Sequence, residues 1–229
     1  MIRFAAVLTL ALGFVACSKR ADNEPTAKHA PTPKPTTSTA ADKLGTLAPS
    51  TGIPVNEHVP DVQALDLDGK VVRLADLVAR GPLLLVFYRG GWCPYCNYEI
   101  HEMTAAFPEY KKRGVLPVAI SVDVPEEGAK TNATYAIPFP VLSDSKLSFI
   151  NAFRVANHVD DATLAKMKEF GVDLEKSSGE AHHTIAIPAL FLIDKQGVIR
   201  WAHDDPTITV RPSTEQILGA IDAAHVGQP

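Results

Sequence analysis

The sequence predicts an α/β protein: a central mixed β-sheet flanked by helices on both faces, with an N-terminal β-hairpin extension. Three observations carry the prediction. Residues 83–88 and 115–122 are continuously apolar, as strands covered on both faces are. Each runs into a segment of helical character that opens at or near a proline, Pro94 and Pro125, where the missing N–H is harmless. A hairpin signal, Asp194-Lys195-Gln196-Gly197, and a closing helix then complete a βαβα order followed by β-hairpin and helix.

Taken in order, Val62 to Leu67 and Lys70 to Leu74 flank Asp68-Gly69, a hairpin turn. Asp76 to Arg80 is short enough for a helical turn, and Leu83 to Tyr88 is the first buried strand. Pro94 to Arg113 has helical spacing, with Ile100, Met103, Phe107 and Tyr110 in one stripe and Gly114 as the stop. Val115 to Val122 is the next strand, and Pro125 opens a helix reaching about Tyr135. Pro140 to Leu142 reads as a short strand and Lys146 to Phe153 as a helix. An insertion between Asn151 and Thr184 contains a helix at Asp161 to Phe170 and a polar loop ending His182-His183, two exposed histidines rather than ligands. Ala189 to Ile193 and Val198 to His203 form the second hairpin, and Ser213 to Ala224 the last helix, with Ile217, Leu218 and Ile221 inward.

The segments before this domain differ in kind. Met1-Ile2-Arg3 is a short positive start, Phe4 to Ala16 is apolar, and Cys17 follows small residues. Residues 1–17 therefore read as a secretion signal. Their Val15-Ala16-Cys17 end resembles a bacterial lipoprotein signal, which implies lipidation at Cys17; the alternative is ordinary cleavage after Ala16. Residues 18–53 are rich in Pro, Thr and Ala, with little apolar material to offset chain entropy, and read as a disordered tether. The folded domain is expected over 54–229. A formal net charge of -4 argues against a nucleic-acid partner, which favours a basic face. No later apolar run approaches the ~20 residues of a membrane-spanning helix. The expected setting is extracytoplasmic, anchored to a membrane at the periplasm or cell exterior.

The chemistry is concentrated at Trp92-Cys93-Pro94-Tyr95-Cys96. A chain of 229 residues has three cysteines, and two of them lie here, between a strand and a helix. Right-handed crossover places that junction at the carboxyl end of the strand, the edge where open α/β sheets hold their chemistry. Unpaired N–H groups at the helix start favour a thiolate, and Arg89 is the nearest candidate cation. Cys93 is therefore expected to be the accessible attacking sulfur, and Cys96, on the same helical face, the more buried resolving one. A static disulfide closing so short a loop adds little stability. Half a zinc site lacks its second pair of ligands, and haem attachment lacks its histidine, since Asn97 follows Cys96. No metal or cofactor is expected.

Phe87 to Asn97, with Pro60-Asp61-Val62, Asp68-Gly69-Lys70 and Ile193 to Gly197, resembles the thioredoxin superfamily. The likeness is greater to peroxiredoxin-like proteins of the alkyl hydroperoxide reductase/thiol-specific antioxidant group. The resemblance implies a thioredoxin-like fold, thiol chemistry at Cys93 and Cys96, and substrate contacts at Trp92, Pro94 and Tyr95. It also implies a cis-proline at Ile187-Pro188 facing the thiols, with the Ile187 backbone open to an extended substrate, and an arginine near the thiolate at Arg211. That group usually has proline seven residues and threonine three residues before the attacking cysteine; Val86 and Gly90 stand there. Thioredoxin usually has a buried acid in the strand before its dithiol, and Leu83 to Tyr88 has none; Glu99 and Glu102 read as solvated.

The first expectation is a thiol-dependent peroxidase that reduces a hydroperoxide through a Cys93/Cys96 cycle, regenerated by a thioredoxin-like thiol donor. The alternative is an extracytoplasmic thiol–disulfide oxidoreductase acting on protein disulfides. A third is a non-enzymatic, redox-gated metal-binding or interaction module.

Overall fold

The computed structural model describes residues 52–227. The expectations for 1–17, including Cys17, and for 18–51 lie outside them. Ile53 packs into the core, so the folded part already includes the last residue assigned to the tether.

The strands are β1 (Gln63–Leu65), β2 (Val71–Arg73), β3 (Leu83–Phe87), β4 (Leu116–Ser121), β5 (Val141–Ser143), β6 (Ala156–His158), β7 (Thr184–Ala186), β8 (Ala189–Ile193) and β9 (Ile199–Asp204). The helices are α1 (Leu74–Val78), α2 (Pro94–Ala105), α3 (Phe107–Lys112), α4 (Pro125–Tyr135), α5 (Ser148–Ala152), α6 (Asp161–Glu169), α7 (Leu174–Ser178) and α8 (Thr214–Ala224). Seven strands form one mixed sheet in the order β2-β1-β5-β4-β3-β8-β9. β3, β4 and β5 run parallel, while β8, β9 and the N-terminal hairpin are antiparallel to their neighbours.

Alternation along the central strands divides the core in two. Leu83, Leu85 and Phe87 of β3 face one side with Val118 and Ile120 of β4. Leu84, Val86 and Tyr88 face the other with Ala119, Cys93, Cys96, and Ile217 and Ile221 of α8. The parallel register Val86↔Ala119 fixes that arrangement, and a slip of one residue would move each set into the opposite core.

The expected helix from Pro94 to Arg113 is two helices. Ala106 is a turn residue between them (φ -86°, ψ 0°), and Pro108 falls in the first turn of α3. A proline inside one continuous helix would lack an N–H and clash with the preceding turn; at a new start neither cost arises. The insertion also holds more order than expected. β6 and β7 pair as a separate two-stranded sheet around α6 and α7. Three-residue strands without a clear alternating pattern left no periodic signal for this pair.

Candidate active site

Cys93 is the N-cap of α2 and Pro94 its first residue. The Asn97 N–H donates to the Cys93 carbonyl at 3.0 Å, and Asn97 Nδ2 donates to the Gly91 carbonyl at 2.7 Å, tying the loop to the helix. Gly90 has φ +151°, and a Cβ there would lie 2.3 Å from Trp92 Nε1 and 2.8 Å from Asp123 Oδ1. A Cβ on Gly91 would lie 1.9 Å from Thr131 Oγ1. Only glycine lets this loop press against α4. Two glycines before the dithiol are thus a steric requirement of its approach to the sheet.

Both cysteines are reduced. Cys96 is 0% exposed, and Cys93 is only 1% exposed, so the expectation of an accessible leading sulfur is corrected. Both sit in the apolar cluster between α2 and the sheet. Burial works against a Cys93 anion, yet hydrogen bonding from Cys96 and the charges of Arg89 and Arg211 bring its pKa down to about 6. Burial and the neighbouring Cys93 charge push Cys96 well above the usual thiol range. One thiol of the pair is acidic and the other is held protonated.

Two arginines supply the positive field. Arg89 is buried, with its Cζ 5.0 Å from the centroid of the Trp92 ring. Arg211 Nε donates to Glu99 Oε2 at 2.8 Å, with both side chains buried (7% and 5% exposed). Glu99 is therefore not solvated, which corrects its sequence reading, whereas Glu102 is exposed. Arg211 Nη1 also donates to the Val210 carbonyl at 2.7 Å. The pairing keeps a guanidinium near the thiols, because a buried charge without a partner would be costly.

The register Phe87↔Ala189 brings Ile187-Pro188 to the carboxyl end of β3, beside the dithiol loop. The Ile187-Pro188 peptide is trans, since no cis bond occurs among the described residues, and this corrects the cis expectation. The Ile187 N–H donates to the Val155 carbonyl at 2.7 Å, so that donor is already engaged. Both residues are buried, while Trp92 and Tyr95 are half-buried and Pro94 is exposed.

Asp123 was not singled out from sequence. It is buried two residues beyond β4, and its Oδ2 accepts from the Gly91 N–H at 2.7 Å. Burial raises its pKa to about 6, against the hydrogen bond from the Gly91 N–H, with the charges of Glu127 and Cys93 adding to the rise. An acid at the end of a continuously apolar strand, just before a proline-initiated helix, was the available signal. It stands on the strand beside the one where an acid was sought.

The insertion reaches this end of the sheet. A cavity of about 370 Å³ is lined by Gly91, Trp92 and Asn97 from the loop and helix start, Asp123 and Thr131 beside them, and Val172 from the insertion. The two histidines are engaged locally. His182 accepts from the Thr184 N–H on Nδ1 (3.0 Å), which leaves Nε2–H to donate to the Ser145 carbonyl (3.1 Å). His183 Nε2 lies 2.7 Å from Glu175 Oε1. Among the described residues no three His, Cys, Asp or Glu side chains form a metal-binding group.

Against this geometry stands a match to the AhpC/TSA family over residues 55–202. The chain belongs to the AhpC/TSA family. Curated relatives include the thiol-disulfide oxidoreductase ResA of Bacillus cereus, 32% identical over 102 residues, covering 44% of this chain and 58% of that protein. ResA of Geobacillus kaustophilus is 27% identical over 151 residues, covering 66% of this chain and 69% of that protein. This chain thus spans little more than half the length of the first of these. Among solved structures, peroxidoxin BcpB of Mycobacterium tuberculosis superposes with a TM-score of 0.58 at 19% identity, over 75% of this chain and 97% of that one. Reduced Prx3 of Vibrio vulnificus, in complex with H2O2, gives 0.59 at 17% identity, over 74% and 99%. At these identities the likeness shows the fold, which is thioredoxin-like and of the peroxiredoxin type. The family is one of oxidoreductases.

Proposed function

We propose that this protein is a thiol–disulfide oxidoreductase that acts on protein disulfides outside the cytoplasm. The observation that carries the reading is one buried, reduced cysteine pair at the start of α2 beside two arginines, whose charges favour the Cys93 thiolate while burial holds Cys96 as a thiol. The Cys93 thiolate attacks a substrate sulfur, one substrate thiolate leaves with the bonding electrons, and a mixed disulfide forms. Cys96 then attacks Cys93, the second substrate thiolate leaves, and the Cys96 proton is lost. Because Cys93 is buried, attack follows an opening of the dithiol loop, whose rim is Trp92, Pro94 and Tyr95. A thiol donor of the thioredoxin type restores the reduced pair. A lipid on Cys17 and the tether that follows it hold the domain at a membrane. The relatives named as thiol-disulfide oxidoreductases support the reading, as does the residue pattern. Counted back from Cys93, the offsets of the peroxidase proline and threonine hold Val86 and Gly90; counted from Cys96 they hold Arg89 and Cys93. Neither sulfur has a hydroxyl three residues upstream to orient a peroxide.

Peroxide reduction is the second reading, favoured by the two guanidinium charges acting on Cys93. There the thiolate attacks a hydroperoxide oxygen, water or alcohol leaves, and Cys96 condenses with the sulfenic acid. Rapid mixing of reduced protein with an insulin-like disulfide or with hydrogen peroxide separates the two. The first reading expects faster Cys93–Cys96 disulfide formation with the protein disulfide. Oxidation by peroxide well above a free thiol's rate, with no reduction of the protein disulfide, would replace it with the second.

A further inference from the structure

A second cavity, of about 310 Å³, lies between α2 and the start of α8. Tyr98, Glu99 and Glu102 supply one wall, and Arg211 and Glu215 the other. Three carboxylates thus line it against one guanidinium, and that guanidinium is already engaged. Arg211 Nε donates to Glu99 Oε2, and Nη1 donates to the Val210 carbonyl. The first turn of α8 does not invite an anion either, because Ser213 and Gln216 cap each other. The Gln216 N–H donates to Ser213 Oγ at 3.3 Å, and the Ser213 N–H donates to Gln216 Oε1 at 2.8 Å. The cavity is negative and suits a cation. Its wall also holds two buried atoms without a hydrogen-bond partner: Glu99 Oε1, an acceptor, and Arg211 Nη2, a donor. Both side chains are more than nine-tenths buried. Such atoms are uncommon in folded proteins, and a donor and an acceptor together fit a ligand that carries both. A peptide with a basic side chain does: its head group donates and its backbone carbonyl accepts. A metal ion does not, and no three potential ligand side chains gather into a metal-binding group among the described residues.

The surface of α2 leads to this cavity from the dithiol. Tyr95 on the rim, then Tyr98, then Glu102 follow at helical intervals along one stripe, the tyrosines half-buried and Glu102 exposed. Cys93 precedes Glu99 by six residues, about 9 Å along the helix axis. An extended chain covers that distance in about three residues.

Resting on the thiol–disulfide reading, we propose that the cavity between α2 and α8 is a docking subsite for the protein substrate, taking a lysine or arginine side chain about three residues from the cysteine that Cys93 attacks. The substrate backbone lies along the Tyr95–Tyr98–Glu102 stripe. The basic head group enters between Glu102 and Glu215 and reaches Glu99, and a carbonyl of the same segment accepts from Arg211. The subsite selects disulfides with basic flanks.

The test uses short peptides with one cysteine, each joined by a disulfide to an aromatic thiol that is coloured once released. The Cys93 thiolate attacks the peptide sulfur, and the aromatic thiolate leaves with the bonding electrons. In one series a single lysine is walked outward from the cysteine, residue by residue on each side; in the other, glutamate takes its place. Each second-order rate constant is divided by that of a small free thiol with the same peptide, which removes the effect of the added charge on the substrate sulfur itself. The lysine-to-glutamate ratio should peak at about three residues. There it should reach roughly fivefold or more, and it should shrink in high salt. Glu102→Gln combined with Glu215→Gln should flatten the peak, and Glu102→Lys combined with Glu215→Lys should invert it. Because the ratio is taken within each variant, a general loss of activity cancels. A ratio above one that is equal at every position reports only long-range attraction to a negatively charged chain, and overturns docking. A peak that survives both pairs of substitutions overturns it as well, and a peak for glutamate would assign the cavity to an anion instead. Wild-type protein that releases no aromatic thiol from any peptide overturns the thiol–disulfide reading itself.

Discussion

The two faces of the central sheet are built from the same strands and serve opposite purposes. On one face Phe87, Phe149, Phe153 and Phe191 interlock, with Phe87–Phe191 edge-on at 5.8 Å and Phe149–Phe153 stacked at 6.2 Å. The other face, one residue out of phase, buries two thiols, the Tyr88 hydroxyl and, at its margin, the Arg211–Glu99 pair. Each face has a buried acid raised to about 6 chiefly by burial, but their surroundings differ. Asp144 spends both oxygens on the N–H groups of Phe149 and Ile150 (3.1 and 2.8 Å). Asp123 keeps one oxygen without a partner. The acid on the phenylalanine face is fully engaged, whereas the one beside the dithiol is not.

The largest effect that tests this division is at the dithiol. Cys93→Ser should reduce protein-disulfide turnover to background, and Cys96→Ser should trap a mixed disulfide visible by mass spectrometry. Full turnover by Cys93→Ser would reverse the two roles.

Next in size is a matched pair of truncations, one per face. Phe191→Ala should cost about 3–5 kcal/mol in denaturant unfolding while leaving the Cys93 titration unmoved. Arg211→Met should cost about as much, roughly 3–5 kcal/mol, because it strands a buried Glu99 carboxylate. Unlike the first, it should also raise the Cys93 pKa, read from thiolate absorbance, since one cation is gone. Adding Glu99→Leu to Arg211→Met should recover much of the stability but none of the acidity. If the two single variants shift the thiol equally, the faces are not electrostatically separate.

Most of the fold was legible because its central strands are unbroken apolar runs and the helices that follow β3 and β4 begin at prolines. The dithiol's place at the end of β3 followed from the same pattern. What remained hidden was set by packing in three dimensions. Glu99 and Arg211 are 112 positions apart, and nothing in either local sequence announces that they meet under a common cover. The burial of Cys93 depends on how closely Gly90 and Gly91 let the loop approach α4. The pairing of β6 with β7 rests on three-residue strands too short to show a period. Asp123 was readable as a residue, but its role depends on which strand neighbours β3, and that is a property of the assembled sheet.

The smallest effect, and the one that sets the faces against each other most directly, is the dependence of stability on pH. A carboxyl raised from 3.8 to about 6 on folding binds its proton more tightly in the folded state. Its contribution is therefore full below about 3.8 and is lost as pH rises through 6. Cys93, lowered from 9.0 to about 6, has the opposite sign: its contribution is full above 9 and is lost as pH falls through 6. Asp144→Asn removes only the first term, so its stability relative to wild type should improve between pH 4 and 6 by about 1–3 kcal/mol and then stay level. Oxidation to the Cys93–Cys96 disulfide removes the second, together with the Cys96 contribution of opposite sign that acts above about pH 9, so the reduced protein should gain on the oxidised one between pH 6 and 9, with no comparable trend below. Carboxylates with lowered pKa, such as Asp194, titrate below both windows and cancel in each difference. Chemical unfolding at a series of pH values, in both redox states, checks both slopes. A reduced-minus-oxidised difference that stays flat from 6 to 9 would mean that Cys93 gains no acidity on folding, and the dithiol face would then be a packed core like the other.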